Sequence, residues 1–193
     1  MICEQCICEV KPFDGVYLTL EDGSTFLCSK CYNQRVAEYG DIDYTHVSFE
    51  PEIFTDPDGQ DHTFHFSTHL FGDCISMNAM EMRGNNIEGY KFGIIGPSDE
   101  GVGSLFSLFG HLIARINRGL SRKHITFGER GRYQITDAGV VRGHITCDSD
   151  SSSEMPVVVI DGQNISWNDF GEMVMTYEGF NFRMDLVDRT EEA

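Results

Sequence analysis

The sequence predicts an α+β fold: a small four-cysteine module followed by a mainly antiparallel sheet body with two principal helices. Three observations carry that expectation. Two Cys-x-x-Cys pairs, Cys3/Cys6 and Cys28/Cys31, lie close to the start of a 193-residue chain. Runs of alternating apolar and polar residues recur downstream of them, which is the pattern of half-buried strands. Two stretches read instead as helices, one by an apolar stripe at helical spacing and one by a capping box.

Taken in order, residues 16–20 read as a strand, 21–24 as a hairpin turn and 25–27 as the returning strand. Residues 32–39 form a helical segment that Gly40 stops as a C′ residue. Residues 46–54 are extended, and Asp56-Pro57-Asp58-Gly59 is a strong turn signal. Residues 62–71 alternate cleanly, with Phe64, Phe66, Thr68 and Leu70 on one face and His65, Ser67 and His69 on the other. Strands at 75–82 and 90–95 flank the polar turn 84–86. After the Pro97-Ser98-Asp99-Glu100 start signal, Leu105, Phe109, Leu112, Ile113, Ile116 and Leu120 make one stripe, so this helix packs on a sheet. Short strands follow near Ile125 and Tyr133 and at 140–147. Residues 148–154 are an exposed acidic loop, 155–160 a buried strand, and Asp161-Gly162 a turn. Ser166 with Asp169 caps a helix through about Tyr177, which Gly179 stops, and 180–187 is a last alternating strand. The natural division is a module at 1–40 and a body at 41–193.

The chemistry of the first module follows from its thiols. A Cys-x-x-Cys turn sets two thiolates on one side of a tight loop, and a second such turn supplies two more. The gap between the pairs is only slightly longer than the roughly 15–20 residues usual for zinc sites. Cys3, Cys6, Cys28 and Cys31 are therefore expected to hold one structural Zn²⁺ in a closed tetrahedral site that leaves no position for substrate. Knuckle, hairpin, then a knuckle opening a helix resembles a four-cysteine treble-clef module across residues 1–40. Two positions depart from the pattern, because Ile7 and Tyr32 stand where many such modules carry Gly. Cys8 is a fifth thiol that competes with Cys6 as ligand. The other reading of the cluster is a redox-active or disulfide-paired set. Seven cysteines is an odd count. No basic start with an apolar run marks a signal peptide, and no apolar stretch reaches the ~18 residues of a membrane span, so a reducing cytoplasm is expected.

Charge narrows the partners. The net charge is −17, but residues 101–147 hold seven basic and two acidic residues, against the acidic excess everywhere else. A nucleic-acid reader needs cations to displace phosphate counterions. The cysteine module has only Lys11, Lys30 and Arg35 against six carboxylates. Another protein, of basic surface, is the partner this charge favours, with neither duplex DNA nor a membrane.

Several phrases together carry a wider resemblance: Leu27-Cys28 with Cys31-Tyr32-Asn33, His62-Thr63-Phe64-His65-Phe66, Phe71-Gly72-Asp73, Gly89-Tyr90 with Phe92, Ser121-Arg122-Lys123-His124, Ile160-Asp161-Gly162 with Ile165-Ser166-Trp167, and Tyr177-Glu178-Gly179-Phe180 with Phe182. The set resembles a family of small, uncharacterised bacterial proteins with a four-cysteine zinc module and an α+β body. The resemblance implies zinc and a bacterial source, and no activity.

Two further candidate sites have plainer readings beside them. His65 and His69, with His62, are candidates for a second metal site. Alternation turns His62 away from the other two, and four residues along a strand span about 13 Å, so solvated strand histidines are the plainer reading. Arg115, Arg118 and Arg122, continued by Lys123 and His124, are a candidate contact for an anion or an acidic partner. The plainer reading is that they neutralise the protein's own acidic segments. Cys74 and Cys147 read as buried packing thiols, and Glu172 and Glu178 as the wet face of a helix. The glycines before the long helix lack both nucleotide-loop motifs. Two functional classes remain. One is a zinc-binding, acidic interaction or regulatory protein. The other is a metal-dependent hydrolase using the His62, His65 and His69 strand, which would need chemistry away from the closed thiolate site. A fluorescence-anisotropy titration with duplex DNA at physiological salt is expected to show no saturable binding. Tight binding would instead mark Arg115, Arg118 and Arg122 as a DNA-contacting face.

Overall fold

A computed structural model of the chain describes residues 1–20, 23–84, 86–98, 102–128, 131–147 and 155–191. An antiparallel hairpin of β1 (Gly15–Leu20) and β2 (Gly23–Cys28) runs directly into helix α1 (Ser29–Gly40). Glu21 and Asp22 of the expected turn lie outside the described residues, and Leu20 pairs with Gly23 across it. The left-handed residue that ends α1 is Asp41 (φ 51°), one position beyond the glycine expected to supply it.

The expected strand at 46–54 forms only at its end. There β3 (Glu52–Thr55) pairs with the start of β4 (Asp61–Phe71), while Val47 and Phe49 pack on the core from irregular chain. Strands β5 (Cys74–Arg83) and β6 (Asn86–Pro97) complete a four-stranded antiparallel sheet in the order β3-β4-β5-β6. Its strands are longer than the alternation suggested, because cross-strand pairing continues past the apolar residues, with a register shift between Met80 and Met82 where β5 meets the start of β6.

Helix α2 (Val102–Leu120) covers one face of this sheet. Its buried residues Leu105, Leu108, Leu112, Ile116 and Leu120 fall on a single stripe and meet Phe64, Phe66, Leu70, Ile75, Met77 and Phe92. Register explains why the layers mesh. Ala79 lies opposite Phe66 on one side and Phe92 on the other, so a small residue separates two large ones. The helix comes close enough to β6 that a Cβ at Gly119 would lie 2.5 Å from the Phe92 ring. Asp99, Glu100 and Gly101, ahead of α2, and the acidic stretch 148–154 lie outside the described residues.

Beyond α2, a short hairpin of β7 (Ile125–Phe127) and β8 (Tyr133–Ile135) is followed by β9 (Gly143–Cys147), β10 (Pro156–Ile160) and β11 (Gln163–Ser166), which form a second antiparallel sheet. Helix α3 (Trp167–Met175) starts as the capping box requires, with Ser166 Oγ accepting from Asp169 N at 3.1 Å. Ile125, Val158, Ile160, Ile165 and Met173 make a core separate from that under α2. The strand expected at 180–187 is absent. Phe180 and Phe182 are 74% and 86% exposed, and residues 180–187 pair with no strand of the described sheets.

Asn33 makes the hydrogen-bonded joint between the cysteine module and the sheet. Only the first four residues of β4 are paired with β3. Along the remaining edge, Asn33 of α1 donates to Thr68 O at 2.8 Å and accepts from Leu70 N at 2.8 Å. Asn33 is fully buried. Asn33→Leu leaves both backbone groups without partners and is expected to destabilise the protein by about 2–4 kcal/mol, since each buried unsatisfied group costs about 1–3 kcal/mol. Urea unfolding monitored by circular dichroism reads this directly. A midpoint equal to that of the unaltered chain would show that the edge carries no such burden.

Candidate metal centre

The four sulfurs of Cys3, Cys6, Cys28 and Cys31 all lie within 4.8 Å of one another, so the cluster can hold a metal ion. Two loops bring them together. In the first, Ile7 N donates to Cys3 O at 2.9 Å and Cys3 N to Cys8 O at 3.0 Å, which folds the Cys-x-x-Cys turn back on itself. Ile7 takes φ 61°, the left-handed conformation that glycine adopts without strain. The glycine missing from the expected pattern is thus replaced by a residue held in glycine's conformation. Glu4 ties this loop to β2, its backbone N–H donating to Phe26 O and its carboxylate accepting from Phe26 N, both at 2.9 Å.

In the second loop, Cys28 is the N-cap of α1 and Cys31 lies in its first turn. Unpaired N–H groups and the positive end of the helix dipole favour thiolate at that position. Cys3, Cys28 and Cys31 are buried and Cys6 is exposed. Burial alone raises the Cys3 thiol, but backbone N–H groups of Cys6, Cys28 and Gln5 outweigh it and bring it down to about 6. Burial keeps Cys28 and Cys31 above the ordinary thiol range. The Cys8 thiol sits 3.2 Å from Cys6 Sγ, is exposed, and is pushed up to about 12 chiefly by that neighbour. It stays outside the set of four.

The histidines are not solvated strand residues. His65 packs against Phe13 with ring centroids 4.8 Å apart and planes tilted by 43°, and His69 meets the Tyr32 ring edge to face at 5.9 Å. Burial pushes both imidazoles below their ordinary range. The cysteine module therefore covers the strand face that alternation marked as polar. Neither histidine joins a group that can hold an ion among the described residues. Cys147 is exposed and Cys74 half-buried, so neither is the packing thiol expected.

His62 is buried at the centre of a charged cluster that strand reading missed. Its Nδ1 lies 2.9 Å from Glu81 Oε1 and its Nε2 3.4 Å from Asp56 Oδ2. Lys123 Nζ approaches Asp56 Oδ2 at 2.5 Å, and Asp58 N and Gln60 N both donate to Asp56 Oδ1 at 2.9 Å. The other Glu81 oxygen accepts from Tyr90 N at 2.9 Å. A Cβ on Gly89, whose φ is 88°, would collide with that carboxylate. A signal for this cluster existed. His62 shares the apolar face of β4 with Phe64 and Phe66, and a polar residue there needs buried partners.

The arginines divide. Arg115 Nη1 donates to Gly93 O at 2.6 Å, Thr190 O at 3.1 Å and Arg189 O at 3.2 Å, clamping the chain's end against β6. Arg118 and Arg122 line a surface pocket with Arg115, His124 and Arg142. Of the stretch 115–124, Lys123 does neutralise an acidic side chain of the protein, as expected.

Two families match the chain, each described as a domain of unknown function: DUF7686 over residues 45–121 and DUF7713 over residues 124–191. No curated protein and no solved structure matches it.

Burial alone would raise the Asp56 carboxyl, yet Lys123, the Gln60 N–H and His62 together hold it well below the usual carboxylate range. A depressed folded-state value contributes stability that is fully present above the unfolded carboxyl's range and is lost as pH falls through the folded value. Lys123→Met should therefore cost about 2–3 kcal/mol at pH 7, near the lower end for breaking a buried pair because Lys123 is partly exposed. The difference from the unaltered chain should shrink toward pH 3. Urea midpoints at the two pH values check this, and a gap independent of pH would remove Asp56 as its cause.

Proposed function

We propose that the cysteine cluster holds one structural Zn²⁺ and that the chain is a zinc-stabilised, acidic interaction or regulatory protein that binds another protein of basic surface. The observation that carries the reading is the closed set of four sulfurs. Tetrahedral zinc with Zn–S bonds of about 2.3 Å needs its sulfurs about 3.8 Å apart, and Cys6 and Cys28 Sγ stand at 3.8 Å. Four thiolates leave the ion no open position, so its role is to hold the fold rather than to activate water. The hydrolase reading draws no support from the histidine strand, because His62 is engaged by carboxylates while His65 and His69 are packed against aromatic rings.

A partner-binding role fits the charge. The net charge of −17 disfavours nucleic acid and favours a basic protein surface. Cytoplasmic thiols, kept reduced, remain available to the metal.

Elemental analysis of the purified chain is expected to give one zinc per chain, and a cobalt-substituted sample to show thiolate charge-transfer and tetrahedral d–d bands. Cys28→Ser should lose the metal. Chelation should remove amide protection from residues 1–40, because a module this small buries too little apolar surface to hold itself without its ion, and should also expose the β4 edge at Thr68 and Leu70 that Asn33 partners. Protein lacking metal, or Cys28→Ser retaining a full equivalent at undiminished affinity, would remove the basis of the reading.

A further inference from the structure

We propose that the segment from Phe180 to Val187 pairs antiparallel with the same segment of a second copy, so that the protein is a symmetric homodimer. Gly179, at φ 87°, turns the chain out of the region of α3. From there to Asp188 the backbone runs without turn or bend, and no residue takes a positive φ. Among the described residues, no backbone group of 181–187 meets a hydrogen-bond partner. A row of free donors and acceptors is what an edge strand offers to another chain.

Both ends of the run are anchored. Phe180 N donates to Tyr177 O at 2.9 Å behind α3. Beyond Val187, Arg189 donates to Asn78 Oδ1 of β5 at 3.0 Å, and the carbonyls of Arg189 and Thr190 accept from Arg115. Pairing a run held at both ends forfeits less chain entropy than pairing a free tail.

The apolar surface left open is large enough for a dimer. Phe180 and Phe182, at 74% and 86% exposed, leave about 300 Å² uncovered, given the 150–250 Å² that a buried aromatic side chain covers. Met184, Leu186 and Val187, at 58%, 76% and 60%, bring the total to on the order of 600 Å², the upper end for the largest patch of an ordinary monomer. Doubled by symmetry, that reaches the roughly 1,200 Å² at which specific, stable interfaces begin. Val174 and Met175, exposed at the end of α3, extend the apolar surface just before the run and give a paired ribbon something to close on.

The sequence of the run identifies its partner. In an extended strand Phe180, Phe182, Met184 and Leu186 share one face, and Asn181, Arg183, Asp185 and Val187 the other. A two-fold axis at Met184 sets Phe182 opposite the partner's Leu186 and Arg183 opposite the partner's Asp185. The same contacts recur on the other side of the axis, as an isologous interface requires. Apolar then meets apolar and each charge meets its opposite, the pairing that stabilises neighbouring strands. In the single copy Arg183 reaches only Asp185 of its own chain, at 3.1 Å, with both side chains largely exposed. A net charge of −17 opposes self-association in general. This run is neutral, however, because Arg183 and Asp185 cancel, and carboxylates beyond a Debye length of about 8 Å are screened. A basic partner protein, by contrast, would find only Asp185 to meet here.

Sedimentation equilibrium of the metal-loaded chain, in reducing buffer at physiological ionic strength, tests the proposal. A monomer–dimer equilibrium is expected with Kd on the order of 10 μM, and amides 181–187 should gain hydrogen-exchange protection as concentration rises. Arg183→Asp and Asp185→Arg should each weaken the dimer at least about tenfold, since each sets like charges opposite one another on both sides of the axis. The double variant Arg183→Asp/Asp185→Arg should return the Kd to within about threefold of the unaltered chain. An equimolar mixture of the two single variants should form a heterodimer, in which every charge again meets its opposite. Phe182→Ser should weaken association without moving the circular dichroism spectrum, because that side chain is exposed in the single copy. A chain monomeric up to about 500 μM, or a dimer indifferent to both charge reversals, would overturn the proposal. So would single variants that regain nothing on combination or mixing, or a dimer that leaves amides 181–187 unprotected.

Discussion

Strand β4 is eleven residues long, and β3 pairs with only its first four. The backbone groups on the rest of that edge must find partners, because buried donors and acceptors left unpaired are costly. Asn33 supplies them with a side-chain amide, presenting one donor and one acceptor at the spacing a neighbouring strand would use. Much else follows from that substitution of a side chain for a strand. Asn33 lies two residues beyond Cys31, so docking it fixes the start of α1 and with it half of the sulfur cluster. Tyr32 and Phe13 are then brought over His69 and His65. Val36 and Ala37 of the same helix join the core that α2 and the sheet share. A metal that orders the cysteines therefore orders a helix whose other residues seal the sheet.

The second joint in the molecule is polar. The core beneath α2 and the smaller one around Ile160 are separate clusters, and partly buried hydrogen bonds link the segments that carry them. Lys123 reaches back to Asp56 in the turn before β4. Asp161, in the turn between β10 and β11, accepts from the backbone N–H of both His124 and Ile125 at 2.6 and 2.8 Å. Arg83 extends from β5 to Gly162 O at 3.4 Å. These links meet near residues 122–125, where the two matched families abut. Apolar packing tolerates small shifts between surfaces, whereas charged hydrogen bonds fix angle and distance. Joining the two parts this way sets their relative placement more sharply than a shared apolar patch would.

The uneven charge acquires a structural meaning. The basic residues between 101 and 147 divide by what they meet, and Arg132 forms an exposed pair with Glu172. Lys123 meets one buried carboxylate and Arg115 three carbonyls of the chain, while Arg118, Arg122 and Arg142 line one pocket.

The sequence by itself determined the local elements and the thiol cluster. Period-two alternation set the faces of β4, helical spacing set the stripe of α2, and Ser166 with Asp169 set the start of α3, because each depends on residues only a few positions apart. The two Cys-x-x-Cys turns were legible for the same reason, each being a local loop. What lay beyond reach depends on partners distant in the chain. Alternation at 180–187 gave a strand pattern, but a strand exists only where another edge pairs with it, and none does. Alternation also assigned His65 and His69 to water, since a period cannot say that residues near 13 and 32 will return to cover that face. His62 met Asp56, Glu81 and Lys123, and Arg142 met Arg118 and Arg122, only after the sheet and α2 had been placed. Proximity between residues tens of positions apart follows from the closing of the tertiary structure, and no local pattern encodes it.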